Sequence, residues 1–247
     1  MNVSAAEEPK RKSLRDSLAA YGDRRVLAML FLGFSAGLPF LLVFGTLSAW
    51  LREAGISRTT IGFLVLTTFA YSLKFVWAPL VDRLPLPGLN RRLGRRRAWM
   101  LVSQCAIAAG LLGMAFTNPA TNLATMAAFT VLTAFGSATQ DIAIDAFRIE
   151  SVPADMQGAT AGAYQLGYRI ALLAAGAGAL YIAEFVDWRA AYLSMAVLVA
   201  VGIATVFIVR EPAARIDPEA EKRAAALIGA NANRSALGRA AAWFASA

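Results

Sequence analysis

The 247 residues contain no histidine and a single cysteine, Cys105. Without histidine there is no imidazole acid–base catalysis, no haem ligation through imidazole and no ordinary zinc site. One cysteine forms no intramolecular disulfide, and Cys105, inside an apolar run, reads as a small buried or lipid-facing residue. Charge is also scarce: charged residues make up 16% of the chain against 58% hydrophobic ones, and the mean hydropathy is +0.54. A soluble domain needs more polar surface than this, so the composition reads as a membrane protein. A hydrocarbon core of about 30 Å takes about 20 apolar residues per helix, so six spans with short loops nearly exhaust the length. The formal net charge of +8 would suit nucleic acid. The basic residues, however, flank the apolar runs, which is how membrane topology is written, and no nucleic-acid partner is expected.

The chain divides into a polar segment, 1–25, a six-helix transmembrane bundle, 26–209, and a polar tail or linker, 210–247. The first segment carries Lys10, Arg11, Lys12, Arg15, Arg24 and Arg25, and the uncharged run Val26 to Leu51 follows. A signal peptide has an apolar region of only about 7–15 residues, so this run is a retained first span. Within it Gly33 and Gly37 allow close helix contact and Pro39 a local bend, for which ordinary membrane packing is sufficient reason. The second span is expected from Thr59 to Val81, the third from Ala98 to Phe116, the fourth from Leu123, the fifth from Gly158 to Ala183 and the sixth from Trp188 to Val209. Asp217, Pro218 and Gly229 mark a further helix in the tail. The last residues, Ala240 to Ala247, turn apolar too late for a seventh span, which reads as truncation before one or as a short surface helix.

Orientation follows from the loops. Six Lys and Arg in each of 1–25, 82–97 and 210–247, with Arg148, make nineteen on one side; Arg52, Arg58 and Arg189 make three on the other. Both termini are therefore expected in the cytoplasm. The two remaining cations, Lys74 and Arg169, lie within spans two and five, the middle helix of each triple in a bundle built from inverted 3+3 repeats.

Ionisable groups inside a span face a bundle interior or a wet cavity, and they mark pathways. Asp141 and Asp145 end the fourth apolar run and, four residues apart, share a helix face. Arg169 stands eleven residues into the fifth span, about 16 Å along the helix and too deep to snorkel, with Gln165 one turn before it on the same face. Lys74 either reaches the cytoplasmic interface or turns inward to an anion or one of the carboxylates. Gln140 adjoins Asp141. An Asp141–Arg169 contact, made and broken as a proton moves, would couple proton entry to rocking of the helices; as a static ion pair it would only fix packing.

Two stretches resemble known transporters. Ala78, then Asp82 and Arg83, followed by Gly94, Arg95 and Arg96, resembles the loop between the second and third helices of major facilitator superfamily transporters, in which an acidic residue and arginines form a gating contact. Here Ala78 replaces the usual glycine and LPLPGLNRRL separates the acidic from the basic part, leaving open whether Asp82 meets Arg95 or Arg96. Gly136-Ser137-Ala138-Thr139-Gln140-Asp141 with Asp145, and then Gly167-Tyr168-Arg169, resembles the AmpG-type muropeptide permeases of that superfamily over roughly residues 20–212, the first half of such a transporter.

The resemblance implies an all-α fold of six transmembrane helices and proton-coupled import of anhydromuropeptides across the bacterial inner membrane. It also implies a small-molecule substrate, lipid around the bundle and a second six-helix half or another copy as partner. No cofactor or metal is called for. Transport of another bulky substrate such as acetyl-CoA, or a non-transporting membrane scaffold, are the alternatives. An enzyme is not expected, because the intramembrane polar residues make no nucleophile–base set, and carboxylates at i,i+4 on a membrane helix do not frame a sugar cleft.

Overall fold

A computed structural model describes residues 21–66 and 69–212. Lys10, Arg11, Lys12, Arg15, the expected tail helix between Asp217 and Gly229 and the apolar end from Ala240 lie outside the described residues. Among the described residues all regular structure is helical.

Helix α1, Arg24–Val43, starts on Asp23, whose carboxylate accepts from the Arg25 N–H at 2.7 Å. It breaks at Phe44 and resumes as α2, Gly45–Glu53, the two forming one 30-residue span. The first span is thus made in two pieces, and its break lies at Phe44, five residues after the Pro39 at which a bend was expected. At the break the Leu42 carbonyl accepts from the Tyr192 hydroxyl at 2.8 Å, and Thr46 donates to the Ala175 carbonyl at 2.7 Å, so neighbouring helices take over the hydrogen bonds.

The second span departs further from expectation. It comprises α3, Arg58–Val65, α4, Phe69–Ser72, and α5, Lys74–Arg83, with a 44° bend between Arg58–Ser72 and Lys74–Arg83. Pro79, one turn into α5, has no N–H for the Phe75 carbonyl, which weakens the ladder beside the break. Lys74 consequently opens a helix instead of lying along an unbroken one. The short α6, Leu89–Leu93, sits between Gly88 and Gly94, both at positive φ (81° and 88°), where a side chain would be strained.

The third and fourth spans are α7, Arg95–Ala115, and α8, Leu123–Ser151, the latter capped by Asn122 accepting from the Thr125 N–H. Helix α9, Gln157–Leu173, passes through a wide π-helical turn, Ala174–Gly178, into α10, Ala179–Phe185. The Ala175 carbonyl that receives Thr46 belongs to this turn, where the i→i−4 ladder is interrupted. Helix α11, Trp188–Ile208, starts on Asp187, which caps the Ala190 N–H at 2.6 Å.

All six expected helices occur in order. Four spans, Arg24–Glu53, Arg95–Ala115, Ala154–Phe185 and Trp188–Ile208, are long and apolar enough to cross a membrane, and the bent pair Arg58–Ser72 with Lys74–Arg83 makes a fifth. Helix α8 is long enough, at 29 residues, but its second half carries Gln140, Asp141, Asp145, Arg148 and Glu150 and is correspondingly less apolar.

Helix α1 is the hub, packed on α9, α8 and α11, while α7 joins α8 to α11 and the second span rests on α8 at the edge. Lipid tails are as apolar as leucine, so close fit rather than water exclusion holds such helices together. The fit of α1 to α9 is backbone on backbone. A methyl at Gly33 would strike the Tyr164 carbonyl, one at Gly37 the Tyr168 carbonyl, and one at Gly167 the Leu30 carbonyl. Two apolar cores result, one around Leu38, Trp50, Met114 and Tyr192 and the other around Met29, Met100, Ile144 and Val206.

A Gly167→Val substitution is expected to force α9 off α1 at a cost of about 1–3 kcal/mol or more. Gly158→Ala, where the added methyl meets nothing within 4 Å, is the control and should be neutral. Thermal unfolding in detergent, followed by fluorescence-detected size exclusion, reads both; equal midpoints for the two variants would contradict the backbone contact.

Candidate functional site

Three polar assemblies are built on this frame. The first lies where the bent second span meets α8. Because Lys74 opens α5, its ammonium reaches across to α8, with Nζ 3.8 Å from Asp141 Oδ2 and 3.9 Å from Asp145 Oδ2. Asp145 is also 3.6 Å from Arg148, one turn on. The Asp141 side chain is 17% exposed against 47% for Asp145, and its Oδ1 is buried without a hydrogen bond. Thus one carboxylate of the pair looks inward and the other outward, with one cation between them. Tyr71, Tyr164 and Tyr168 lie within electrostatic reach of Asp141. Tyr71 also packs edge-on to Phe40, with ring centroids 5.7 Å apart.

The expected Asp141–Arg169 contact is not formed. Among the described residues Arg169 has no ion pair, and it is exposed on α9, as is Gln165. The reason is rotational: Gly167 and Ala163 turn one face of α9 onto α1, which points Gln165 and Arg169 away from the bundle. Tyr168 stands within reach of both Asp141 and Arg169. Snorkelling of Lys74 to the interface is likewise replaced by its seat between the carboxylates.

The second assembly is a buried polar layer between the two apolar cores. Gln104 of α7 donates to Ser35 Oγ at 3.3 Å, and Ser35 of α1 donates to Gln140 Oε1 of α8 at 3.4 Å. Gly202 of α11 leaves the room, since a methyl there would overlap Ser35. Gln140, fully buried, therefore belongs to helix packing at mid-bundle rather than to the face that carries Asp141. Ser35 and Gln104 are not among the residues expected from the sequence; a lone glutamine in the uncharged third run is the signal that points to this layer.

The third assembly closes the end of the bundle where the basic loop lies. Arg96, 6% exposed, hydrogen-bonds Asp82 through Nη1 and holds Glu150 through Nη2 at 2.6 Å and Nε at 3.2 Å. Asp82 thus meets Arg96, not Arg95, while Arg83 and Arg95 lie half-buried at adjoining helix ends. Glu150 was not among the anticipated gating residues, nor was Glu211. The Glu211 carboxylate accepts the Arg96 N–H at 2.8 Å and the Arg97 N–H at 3.1 Å, capping the N-terminus of α7 from the far end of α11. Gly94 makes room for it, since a methyl there would overlap the Glu211 side chain. Arg97 returns the contact, donating to the Val206 and Phe207 carbonyls at the end of α11 and to that of Leu93. This arrangement ties four spans together and can open only if several charge-assisted bonds break together.

Compared with known proteins, residues 29–247 match the major facilitator superfamily. The anhydromuropeptide permease of Escherichia coli K12 is 40% identical over 196 residues, which are 79% of this chain and 39% of that protein. A Rickettsia felis protein designated AmpG 4 is 36% identical over 191 residues, 76% of this chain and 45% of its own length. A Haemophilus influenzae protein is 39% identical over 190 residues, 76% of this chain and 44% of that one. The chain spans less than half the length of these curated relatives.

Arg96→Gln leaves Glu150 and Asp82 without their cation and should cost roughly 3 kcal/mol, as breaking a buried pair does. Glu211→Gln, which keeps hydrogen-bonding oxygen at the cap, should cost about 1 kcal/mol or less. Unfolding midpoints in the same detergent compare the two; an Arg96→Gln protein melting with the wild type would show the cluster to be energetically idle.

Proposed function

The chain belongs to the major facilitator superfamily, and we propose on that premise that it forms the N-terminal six-helix wall of a proton-coupled importer of anhydromuropeptides. In this reading it lies in the bacterial inner membrane with both termini in the cytoplasm. The observation that carries the reading is the pair Asp141 and Asp145 sharing Lys74 between the second span and α8, on a chain similar to an anhydromuropeptide permease. Such intramembrane ion pairs are costly and are kept where charge or solute moves. A proton arriving on Asp141 would cancel one of the two attractions that hold Lys74. The cation would then be free to follow Asp145 or a substrate carboxylate, and α5 could move relative to α8.

The opposing wall of the pathway would come from six further helices, on the same polypeptide or on another. Arg169 and Gln165, exposed on α9, would face that wall and offer a cation and an amide to the anionic peptide and acetamido groups of the solute. The Arg96–Asp82–Glu150 cluster, with Arg83 and Arg95 beside it, would act as the latch of the cytoplasmic end. No chemical transformation of the solute is part of this reading.

Uptake of labelled anhydromuropeptide into vesicles under an imposed proton gradient tests it, with the chain supplied together with the six-helix second half of a relative. Asp141→Asn and Lys74→Met should each lower gradient-driven uptake by tenfold or more while the protein still inserts. Undiminished uptake in Asp141→Asn would remove the proton role. No uptake in any combination, with an intact relative working in parallel, would favour a non-transporting membrane scaffold.

A further inference from the structure

The insertion between Asp82 and Arg95 builds something that the transport reading does not use. Helix α6 packs on the start of α7, and between it and Phe207 near the end of α11 opens a cavity of about 480 Å³ lined by Gly88, Leu89, Arg92, Leu93 and Phe207. Its walls are apolar apart from Arg92. The cavity stands where α7 begins and α11 ends, at the level of the bilayer surface by the length of those spans.

Two observations fix its shape. Arg97 is spent as a staple, binding the Leu93 carbonyl on one side and the Val206 and Phe207 carbonyls on the other, so α6 cannot fold back into the gap. Trp99 donates to the Leu84 carbonyl at 3.0 Å, and Asn90 accepts from the Leu86 N–H at 3.2 Å, which pins the approach to α6. The charge is equally specific. Arg96 is neutralised by Asp82 and Glu150, yet among the described residues no acidic side chain pairs with Arg91, Arg92 or Arg95. Arg91 and Arg92 are exposed on the same five-residue turn that gives the cavity Leu89 and Leu93.

We propose that this cavity is a binding site for an anionic phospholipid, with Arg91 and Arg92 on the phosphate and an acyl chain against Leu89, Leu93 and Phe207. A guanidinium at bilayer level forks two N–H groups onto phosphate oxygens, and its neighbouring apolar slot excludes water but accepts hydrocarbon. A soluble anion would gain only the first of these contacts; a zwitterionic lipid would gain the second but keep its own cation beside the arginines. Basic pockets between spans bind anionic headgroups in this way. The occupant would bridge α6 to α11, next to the Arg96 latch, and so tie lipid composition to the closed end of the bundle.

The site can be read without any transport assay. The full chain is purified in a mild detergent, and native mass spectrometry follows retention of phosphatidylglycerol or cardiolipin against phosphatidylcholine. The wild type should retain the anionic lipids preferentially. Arg91→Gln with Arg92→Gln should weaken that retention roughly tenfold or more, as loss of two surface cations implies. Phe207→Ala, which keeps both arginines and the backbone bond to Arg97, should weaken lipid retention although the cationic part of the site is intact. Arg25→Gln, a basic residue at another helix end, should leave retention as in wild type. Equal retention by wild type and the double variant, or displacement of the lipid by millimolar glycerol phosphate, would overturn the proposal. The first result would place the lipid elsewhere, and the second would make this a free-anion site.

Discussion

The contact on which the rest of the bundle depends is the crossing of α1 and α9. Gly33 and Gly37 let the Tyr164 and Tyr168 backbone rest directly on α1, and Gly167 receives the Leu30 carbonyl in return. Nothing larger fits at these positions. In a solvent of lipid tails, where apolar burial gains little, such backbone contact is the main source of attraction between helices. It also sets the rotation of α9. The same turns that lie on the glycines bring Tyr164 and Tyr168 within electrostatic reach of Asp141, and they leave Gln165 and Arg169 exposed. A packing constraint therefore decides which polar residues can share the site.

The second constraint is that no backbone carbonyl within the membrane goes unpaired. The breaks in spans one and five are answered by each other's neighbours: Tyr192 serves the carbonyl left at Leu42, and Thr46 serves the π-turn at Ala175. The break in span two has a different consequence, since it brings Lys74 to the start of a helix and its ammonium to two carboxylates of α8. Irregular backbone thus occurs where a charged or polar contact is made. Between the two apolar cores the Ser35–Gln104–Gln140 layer joins α1, α7 and α8 with directional bonds, fixing their register where close packing alone would let them slide.

At the basic end, electrostatics replaces fit. One buried guanidinium, Arg96, gathers Asp82 from span two and Glu150 from span four, and Glu211 caps the helix on which it stands. The neighbouring Arg97 holds the last carbonyls of span six. The basic run is thus divided by contact: Arg96 and Arg97 are tied into the bundle, whereas Arg91 and Arg92 on α6 are exposed. A mere topology signal would not require Arg96 to be buried.

Composition and periodicity made the membrane class, the six helices and nearly all of their ends readable in the chain, because apolar length and loop charge are properties of consecutive residues. The charged pair on the fourth helix was visible for the same reason, as was the resemblance of its surroundings to a transporter family. What the linear order did not contain was partnership. By depth Arg169 was the expected partner of Asp141, with Lys74 able to reach either the interface or a carboxylate; the contact formed is with Lys74, through the bend in span two and the rotation of α9. Glu150 and Glu211 are far from Arg96 in sequence, and only the packing of α7 brings Arg96 to both. Residue type and spacing determined which groups must find partners; only the angles at which the helices cross and break decided which partners they found, because each residue steps about 100° around its helix and a side chain placed on the far face cannot reach back across it.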